Sequence, residues 1–326
     1  MGPDELFQRA VIARRYYLEG RTRVQIAEEF GISRFKVARM LDEALGSGMV
    51  EIKIHNPGSI DVELSTALQR RYGLQHAYAV MTSPDSDPRG TDTVGADDRV
   101  ASVAKAMAEL LQSILRDGDV IGVDCGRTLA HIADHITELP HCDVVQLTGM
   151  AGAITHNGVD LVRRISEVSG GQTWPLYAPL VVSDARTAAS LASSQQIQDT
   201  IAQHAKVTCA IVSVGAWVEG ASQVYSSLTT TEVEALEAAG VCAESCALLL
   251  DAEGNRLPGL DDRRMGIDEA TLREIPTVIA IATGPEKIAA TRAVLRSGMV
   301  SSLVTDVEIA AAVLDDNANE EGVKRT

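Results

Sequence analysis

From residue 119 to residue 306 the chain alternates short, wholly apolar runs with amphipathic stretches at helical spacing. The apolar runs are "DVIGVD" (119–124), "DVVQLTG" (143–149), "WPLYAPLVV" (174–182), "CAIVSVG" (209–215), "CALLLD" (246–251), "TVIAIAT" (277–283) and "SSLVTD" (301–306). Helical periodicity occupies 95–115, 127–137, 158–169, 195–205, 231–238, 285–297 and 306–314. A strand that is apolar at every position must be covered on both faces. Parallel strands joined by crossover helices meet that demand, because the helices fall on the two faces of the sheet. The pattern therefore predicts a doubly wound, mostly parallel α/β domain. "IDVELSTALQRRYG" (60–73) and "HAYAVM" (76–81) add a helix and a strand before it, and the polar "TSPDSDPRGTDTVGADD" (82–98) reads as a loop. Only 3 % of the residues are aromatic, so the core must be built from Ala, Val, Ile and Leu.

The first 56 residues follow a different period. Three helical patterns succeed one another, and two of them form "TRVQIAEEFGISRFKVARML" (22–41). Thr22 and Ser33 are N-cap residues, and Gly31 supplies the turn between the second and third helices. Ile26, Phe30, Ile32, Val37 and Met40 fall on one shared face, and the small Ala27 stands where two helices would approach. This is the spacing of a helix-turn-helix, with "MVEIKIHN" (49–56) as a strand in a short wing. Such a second helix enters the major groove with its N-terminal residues at base edges. The candidate DNA contacts are Thr22, Arg23 and Gln25, then Ser33, Arg34, Phe35, Lys36 and Arg39; Arg suits guanine. The competing reading is an αα-hairpin with a solvated basic face. The chain's net charge of −16 does not oppose DNA binding. Residues 1–56 carry nine basic and eight acidic side chains, so the negative charge lies on the rest. The expected division is residues 1–56 for DNA binding and 57–326 for effector binding and oligomerisation.

Open α/β sheets bind ligands at the carboxyl ends of their strands. Small polar clusters stand there. In "GVDCGRT" the strand ends at Asp124 and Cys125, Gly126 allows close backbone approach, and Arg127 and Thr128 open a helix whose free N–H groups suit a phosphate or hydroxyls. The alternative is a tight turn without ligand. Thr148, Gly149, Gly215, Asp251 and Lys287 end other strands or open the helices after them. Asp261 and Asp262 either face the pocket or cap a loop, and Lys287 is either a pocket charge or a solvated surface group. Five scattered cysteines make no metal or disulfide framework, so no metal or cofactor is expected and the compartment reads as the cytoplasm. No apolar run is long enough to span a membrane, and the acidic, h-region-free opening is not expected to be a secretory leader.

The head followed by "GVDCGRTL", "VVQLTG", "APLVVSD", "VSVGAW", "LLDAEGNRLPGLDDRRMGI", "IPTVIAIATGPEKIAATRAVLRSG" and "SLVTD" resembles the SorC family of bacterial sugar-responsive transcriptional regulators along nearly the whole chain. The resemblance implies an effector domain related to sugar-phosphate isomerases and glucosamine-6-phosphate deaminases. It also implies a sugar, polyol or sugar phosphate as effector, and a homodimer or homotetramer on double-stranded operator DNA. The family's effector contacts map onto Gly126, Arg127, Thr128, Thr148, Gly149 and Lys287. Asp124 and Cys125 replace the family's usual Ser-Trp. A carboxylate at Asp124 suits hydroxyls and repels phosphate, which favours an uncharged sugar or polyol. The alternative function is an isomerase or deaminase with an appended head. That chemistry needs a positioned base, and His131, His135, His141 and His156 lie outside the strand-end clusters. The head favours a regulator without catalytic residues.

Overall fold

The computed structural model describes residues 2–51, 59–82, 93–151 and 158–315. The chain forms two compact units, Met1–Pro57 and Gly58–Thr326.

The first unit holds α1 (Pro3–Tyr17), α2 (Arg23–Phe30) and α3 (Arg34–Gly46). Ile12, Ala13, Ile26, Val37, Met40, Leu41 and Ala44 make its core, with Phe30 and Ile32 partly buried against it. Thr22 and Gln25 close a reciprocal capping box on α2, and Ser33 caps α3. Gly31 sits at φ 61°, the left-handed conformation that ends α2 and starts the turn. Of the expected wing strand, 49–51 are not in strand and 52–56 lie outside the described residues.

The second unit is built on an eight-stranded sheet in the order β1-β2-β12-β11-β6-β3-β4-β5. Its strands are β1 (Ile60–Asp61), β2 (His76–Val80), β3 (Val120–Val123), β4 (Asp143–Gln146), β5 (Thr173–Trp174), β6 (Cys209–Ser213), β11 (Thr277–Ala282) and β12 (Ser302–Asp306). Among the described residues only the β1–β2 pairing of this sheet is antiparallel; the other pairings are parallel. A second sheet, antiparallel, runs β10-β9-β8-β7 from β7 (Gly215–Ala216), β8 (Ala243–Ser245), β9 (Leu248–Leu250) and β10 (Arg256–Leu257).

The helices are α4 (Val62–Tyr72), α5 (Thr93–Ile114), α6 (Arg127–Ala130), α7 (Gly158–Ser169), α8 (Ala185–Ala192), α9 (Gln195–His204), α10 (Gln223–Ser226), α11 (Thr230–Ala238), α12 (Glu269–Glu274), α13 (Ile288–Ser297) and α14 (Val307–Leu314). Strand alternation divides the core between the two faces. On β11, Val278, Ala280 and Ala282 join the cluster that includes Ala290, Ala293 and Val294 of α13. Ile279 and Ile281 join the opposite cluster, with Met107, Leu110 and Leu111 of α5. Alanines on the first face let α13 lie close.

Several expectations are corrected. "WPLYAPLVV" is strand only at Trp174; beyond it there are single bridges at Pro179 and Val181. Pro175 and Pro179 have no N–H to give to a ladder. "CALLLD" supplies β9 of the antiparallel sheet instead of a parallel strand. The helix expected at 127–137 breaks into α6 and a 3-10 turn at Ile132–Asp134. Residues Pro285–Lys287 form a 3-10 turn ahead of α13. α8 was not foreseen, and α5 takes in the end of the expected 82–98 loop, of which 83–92 lie outside the described residues.

Candidate functional site

On the head, α3 turns Val37, Met40, Leu41 and Ala44 inward and leaves Arg34, Phe35, Lys36 and Arg39 exposed. The basic side chains divide by partner. Arg9 is buried and pairs with Glu43 at 2.5 Å, Arg14 and Arg15 pair with Glu19, and Arg39 reaches Glu43 at 3.7 Å. Among the described residues no carboxylate stands within ion-pair distance of Arg23, Arg34 or Lys36. Arg23 lies over the Tyr16 ring, 5.6 Å from its centroid. Thr22, Gln25 and Ser33 spend side-chain atoms on helix caps: Gln25 N donates to Thr22 Oγ1 at 3.3 Å, Thr22 N to Gln25 Oε1 at 3.0 Å, and Lys36 N to Ser33 Oγ at 3.2 Å. Their first role is therefore to fix the ends of α2 and α3.

In the body, a cavity of about 370 Å³ opens where β3, β6, β7, β8 and the turn before α13 meet. It is lined by Asp124, Cys125, Gly126, Arg127, Thr128, Gly215 and Lys287 from the sequence reading. Gly126 is needed there because a Cβ would stand 2.8 Å from the Ser213 Cβ. Arg127 is exposed, and its guanidinium donates to the Gly220 carbonyl across the loop that follows β7.

Asp124 is only 1 % exposed, and its oxygens are occupied. Oδ1 accepts from Cys125 N at 2.7 Å and Thr148 Oγ1 at 2.7 Å; Oδ2 accepts from Ser213 N at 3.1 Å and Ser213 Oγ at 2.8 Å. In this structure the carboxyl ties the ends of β3, β4 and β6 together from the wall of the cavity. Burial pushes its pKa up, and these hydrogen bonds act against that rise. Thr148 stands behind Asp124, fully buried and outside the cavity lining. Gly149 is there for close packing, since a Cβ would meet the Pro179 carbonyl oxygen at 2.4 Å.

Three acids from the sequence reading lie away from the cavity. Asp251 closes its own turn by accepting from Glu253 N at 3.0 Å and Asn255 N at 2.8 Å. Asp261 pairs with Arg256, and Asp262 is exposed. Both stand in the loop between β10 and α12, off the cavity lining.

Glu244 was missed. It is 5 % exposed, lines the cavity, and accepts from Ser222 Oγ at 2.9 Å and Ala247 N at 3.2 Å. Burial, then the nearby Asp124, pushes its carboxyl up to about 7. The signal available was a lone acid inside the apolar stretch "VCAESCALLL". Lys287 is 9 % exposed, and no side-chain hydrogen bond or ion pair engages its ammonium among the described residues. Burial lowers its pKa, with the acids around it acting in the opposite sense. The cavity thus combines the buried Lys287, the protonatable Glu244, further carboxyls of Asp97, Asp124 and Glu286, hydroxyls of Thr128 and Ser213, and the backbone of the Gly126 turn. Among the described residues no three of His, Cys, Asp and Glu gather to hold a metal, and no helix is long and apolar enough to cross a membrane.

A helix-turn-helix unit in one chain with a strand-end ligand cavity defines a ligand-responsive transcriptional regulator. Comparison with known proteins agrees. The family model described as "Putative sugar-binding domain" matches residues 57–315. The deoxyribonucleoside regulator of Bacillus subtilis is 28 % identical over 314 residues, 93 % of this chain and 96 % of that protein. The transcriptional regulator LsrR of Klebsiella pneumoniae is 27 % identical over 322 residues, 96 % of this chain and 94 % of that one. The full-length sorbitol operon regulator SorC of Klebsiella pneumoniae shares the fold, with TM-score 0.72 at 21 % identity, covering 96 % of this chain and 100 % of its own. The chain belongs to this sugar-binding-domain family and is a sugar-modulated transcriptional regulator.

Proposed function

We propose that a small anionic sugar, a sugar phosphate in preference to an uncharged sugar or polyol, occupies the cavity and changes the protein's affinity for double-stranded operator DNA. The observation that carries this reading is Lys287, nine-tenths buried at the cavity with its ammonium unpartnered among the described residues. A buried charge is costly until it is paired, and an anionic ligand supplies the missing partner. Arg127 adds a second cation, Glu244 and Thr128 address hydroxyls, and about 370 Å³ suits one small sugar. The heads act in pairs in a cytoplasmic homo-oligomer, because one helix-turn-helix covers too little sequence for useful specificity. The effector shifts operator affinity by binding one arrangement of the protein better than another.

The test is thermal unfolding against a panel of sugars, polyols and their phosphates. A ligand at 100 times its Kd adds about 2.7 kcal/mol to the folded state. The expected hits are phosphates, and the same compounds change operator binding in a gel-shift assay. Hits confined to uncharged compounds, or hits without effect on DNA binding, refute the reading.

A second reading is favoured by Glu244, and His131, expected away from the strand-end clusters, also stands on the cavity wall. A carboxyl near 7 is in the range of a general base, as an aldose–ketose isomerase requires. The head argues against it, and no catalytic residue is assigned. Turnover of any sugar phosphate by the purified protein would reverse that judgement.

A further inference from the structure

Phe35 is 73 % exposed on the outer face of α3. At 3.6 residues per turn it stands roughly 160° around the helix from Val37, opposite the buried face. Arg39 follows one turn later on the same side, and Arg34 and Lys36 flank it in sequence. The Arg34 guanidinium carbon lies 5.1 Å from the Phe35 ring centroid. Among the described residues neither Arg34 nor Lys36 has a carboxylate partner. A large aromatic ring is thus held in water at the middle of a face whose nearest charges are unpaired cations. A folding role does not account for it, because the ring is outside the core of the head. The cations call for a polyanion, and the ring calls for something apolar within that polyanion's reach.

The major groove offers one such feature. Its base edges are hydrogen-bond donors and acceptors except for the C5-methyl of thymine. Resting on the operator-binding reading above, we propose that Phe35 reads a thymine methyl group, next to a guanine taken by Arg34. Phe35 makes no hydrogen bond, so its discrimination is of the methyl and not of the base's polar edge. Arg34, stacked on the ring, is held in place for the neighbouring base pair. An α-helix in the major groove leaves the ring at the base edges and not wedged between base steps, which is the habit of minor-groove architectural proteins.

The experiment selects duplexes from a random pool with the full-length protein, then exchanges thymine for deoxyuridine in the selected site. That exchange removes the methyl and leaves both the protein and the base's hydrogen-bonding edge intact. The wild type is expected to select a T·A pair adjoining a G·C pair and to lose roughly three- to tenfold in affinity on one deoxyuridine exchange, the effect of one buried methyl. F35A is expected to select the guanine without the thymine and to bind both duplexes alike; F35L is expected to retain part of the preference. An unchanged wild-type affinity for the deoxyuridine duplex overturns the proposal, as does continued thymine selection by F35A. A change in the oligomeric mass of F35A with its base preference intact overturns it too, by assigning the ring to a contact between copies. A pool that yields no preferred sequence for the wild type overturns the operator reading itself, and so separates that failure from the loss of methyl dependence alone.

Discussion

Gly215 and Glu244 face each other across the β7–β8 ladder, and a Cβ on Gly215 would lie 1.9 Å from Glu244 Oε1. The absent side chain is what lets the Glu244 carboxyl lie where Ser222 Oγ and Ala247 N can hold it at the cavity. Glycine is used here for space; its φ is not in the left-handed region.

Gly215→Ala is expected to move that carboxyl while sparing the fold, since the obstructing atoms end a flexible side chain. Loss of one charge-assisted hydrogen bond to an effector is about 1.5–3 kcal/mol, so affinity should fall on the order of tenfold or more. Titration calorimetry with the effector identified by the panel checks this, alongside a thermal melt. Unchanged affinity would remove Glu244 from the effector site.

Glu244 also makes stability depend on pH. Its carboxyl is raised from 4.5 to about 7, so between those values the native state keeps a proton that the unfolded chain has released. Stability from this group is therefore greatest at low pH, falls as pH rises through that window, and is level above it. Asp134, Glu232 and Asp268 have lowered values and act in the opposite sense, losing their contribution as pH falls. The difference between wild type and Glu244→Gln isolates the group. Urea unfolding from about pH 5 to about pH 8 should show the wild type losing ground to the variant as pH rises. The binding of an anion should weaken over the same range. A pH-independent difference would mean that Glu244 is ionised throughout.

The parallel sheet was legible because β3, β6, β11 and β12 are apolar on both faces, a pattern with few other solutions. "CALLLD" was legible as buried but not as antiparallel. Its hairpin turns at Cys246 and Ala247, with φ 52° and 57°, in place of the Asn-Gly pair that marks such turns. The cavity was half legible. Asp124 and Lys287 sit at strand ends, where a chain-order reading finds them, but their opposite fates depend on distant partners. Four donors from three segments occupy Asp124, and Lys287 meets no acceptor among the described residues. Glu244 carried one local mark, a lone acid in an apolar stretch, but its place at the cavity is created by Gly215, twenty-nine positions earlier.

Asp124→Asn is expected to act on the fold before it acts on any ligand. An amide offers one acceptor and one donor group, and each carboxylate oxygen here faces a backbone N–H, from Cys125 or from Ser213. Either orientation leaves one N–H against the NH₂, at a cost of about 1–3 kcal/mol. The same variant would have strengthened phosphate binding if Asp124 acted only by repulsion. Denaturant unfolding without ligand separates the two: unchanged stability would contradict the tie between β3, β4 and β6.

Lys287→Met should change stability and binding in opposite directions. Burial lowers the ammonium's pKa from 10.5. The unfolded chain is thus the better proton binder between the folded value and 10.5, and the ammonium's cost to the native state is fully present below that window. Methionine keeps an unbranched chain of similar reach and removes the charge. The effector-free variant should gain on the order of 1 kcal/mol or more, because an unpaired buried cation is replaced by an apolar group. The variant's lost cation also leaves Glu244 less favoured as a carboxylate, since Lys287 acts to lower its pKa. Binding of a phosphorylated effector should disappear, as should the effector's influence on operator affinity, while effector-free DNA binding persists. Urea midpoints and ligand-induced melting shifts measure the two arms. A residue kept only for structure would lose stability on substitution and leave ligand binding to follow it down. A less stable Lys287→Met protein that still binds a sugar phosphate would show that the ammonium serves the fold, and would leave the cavity without its reason to prefer an anion.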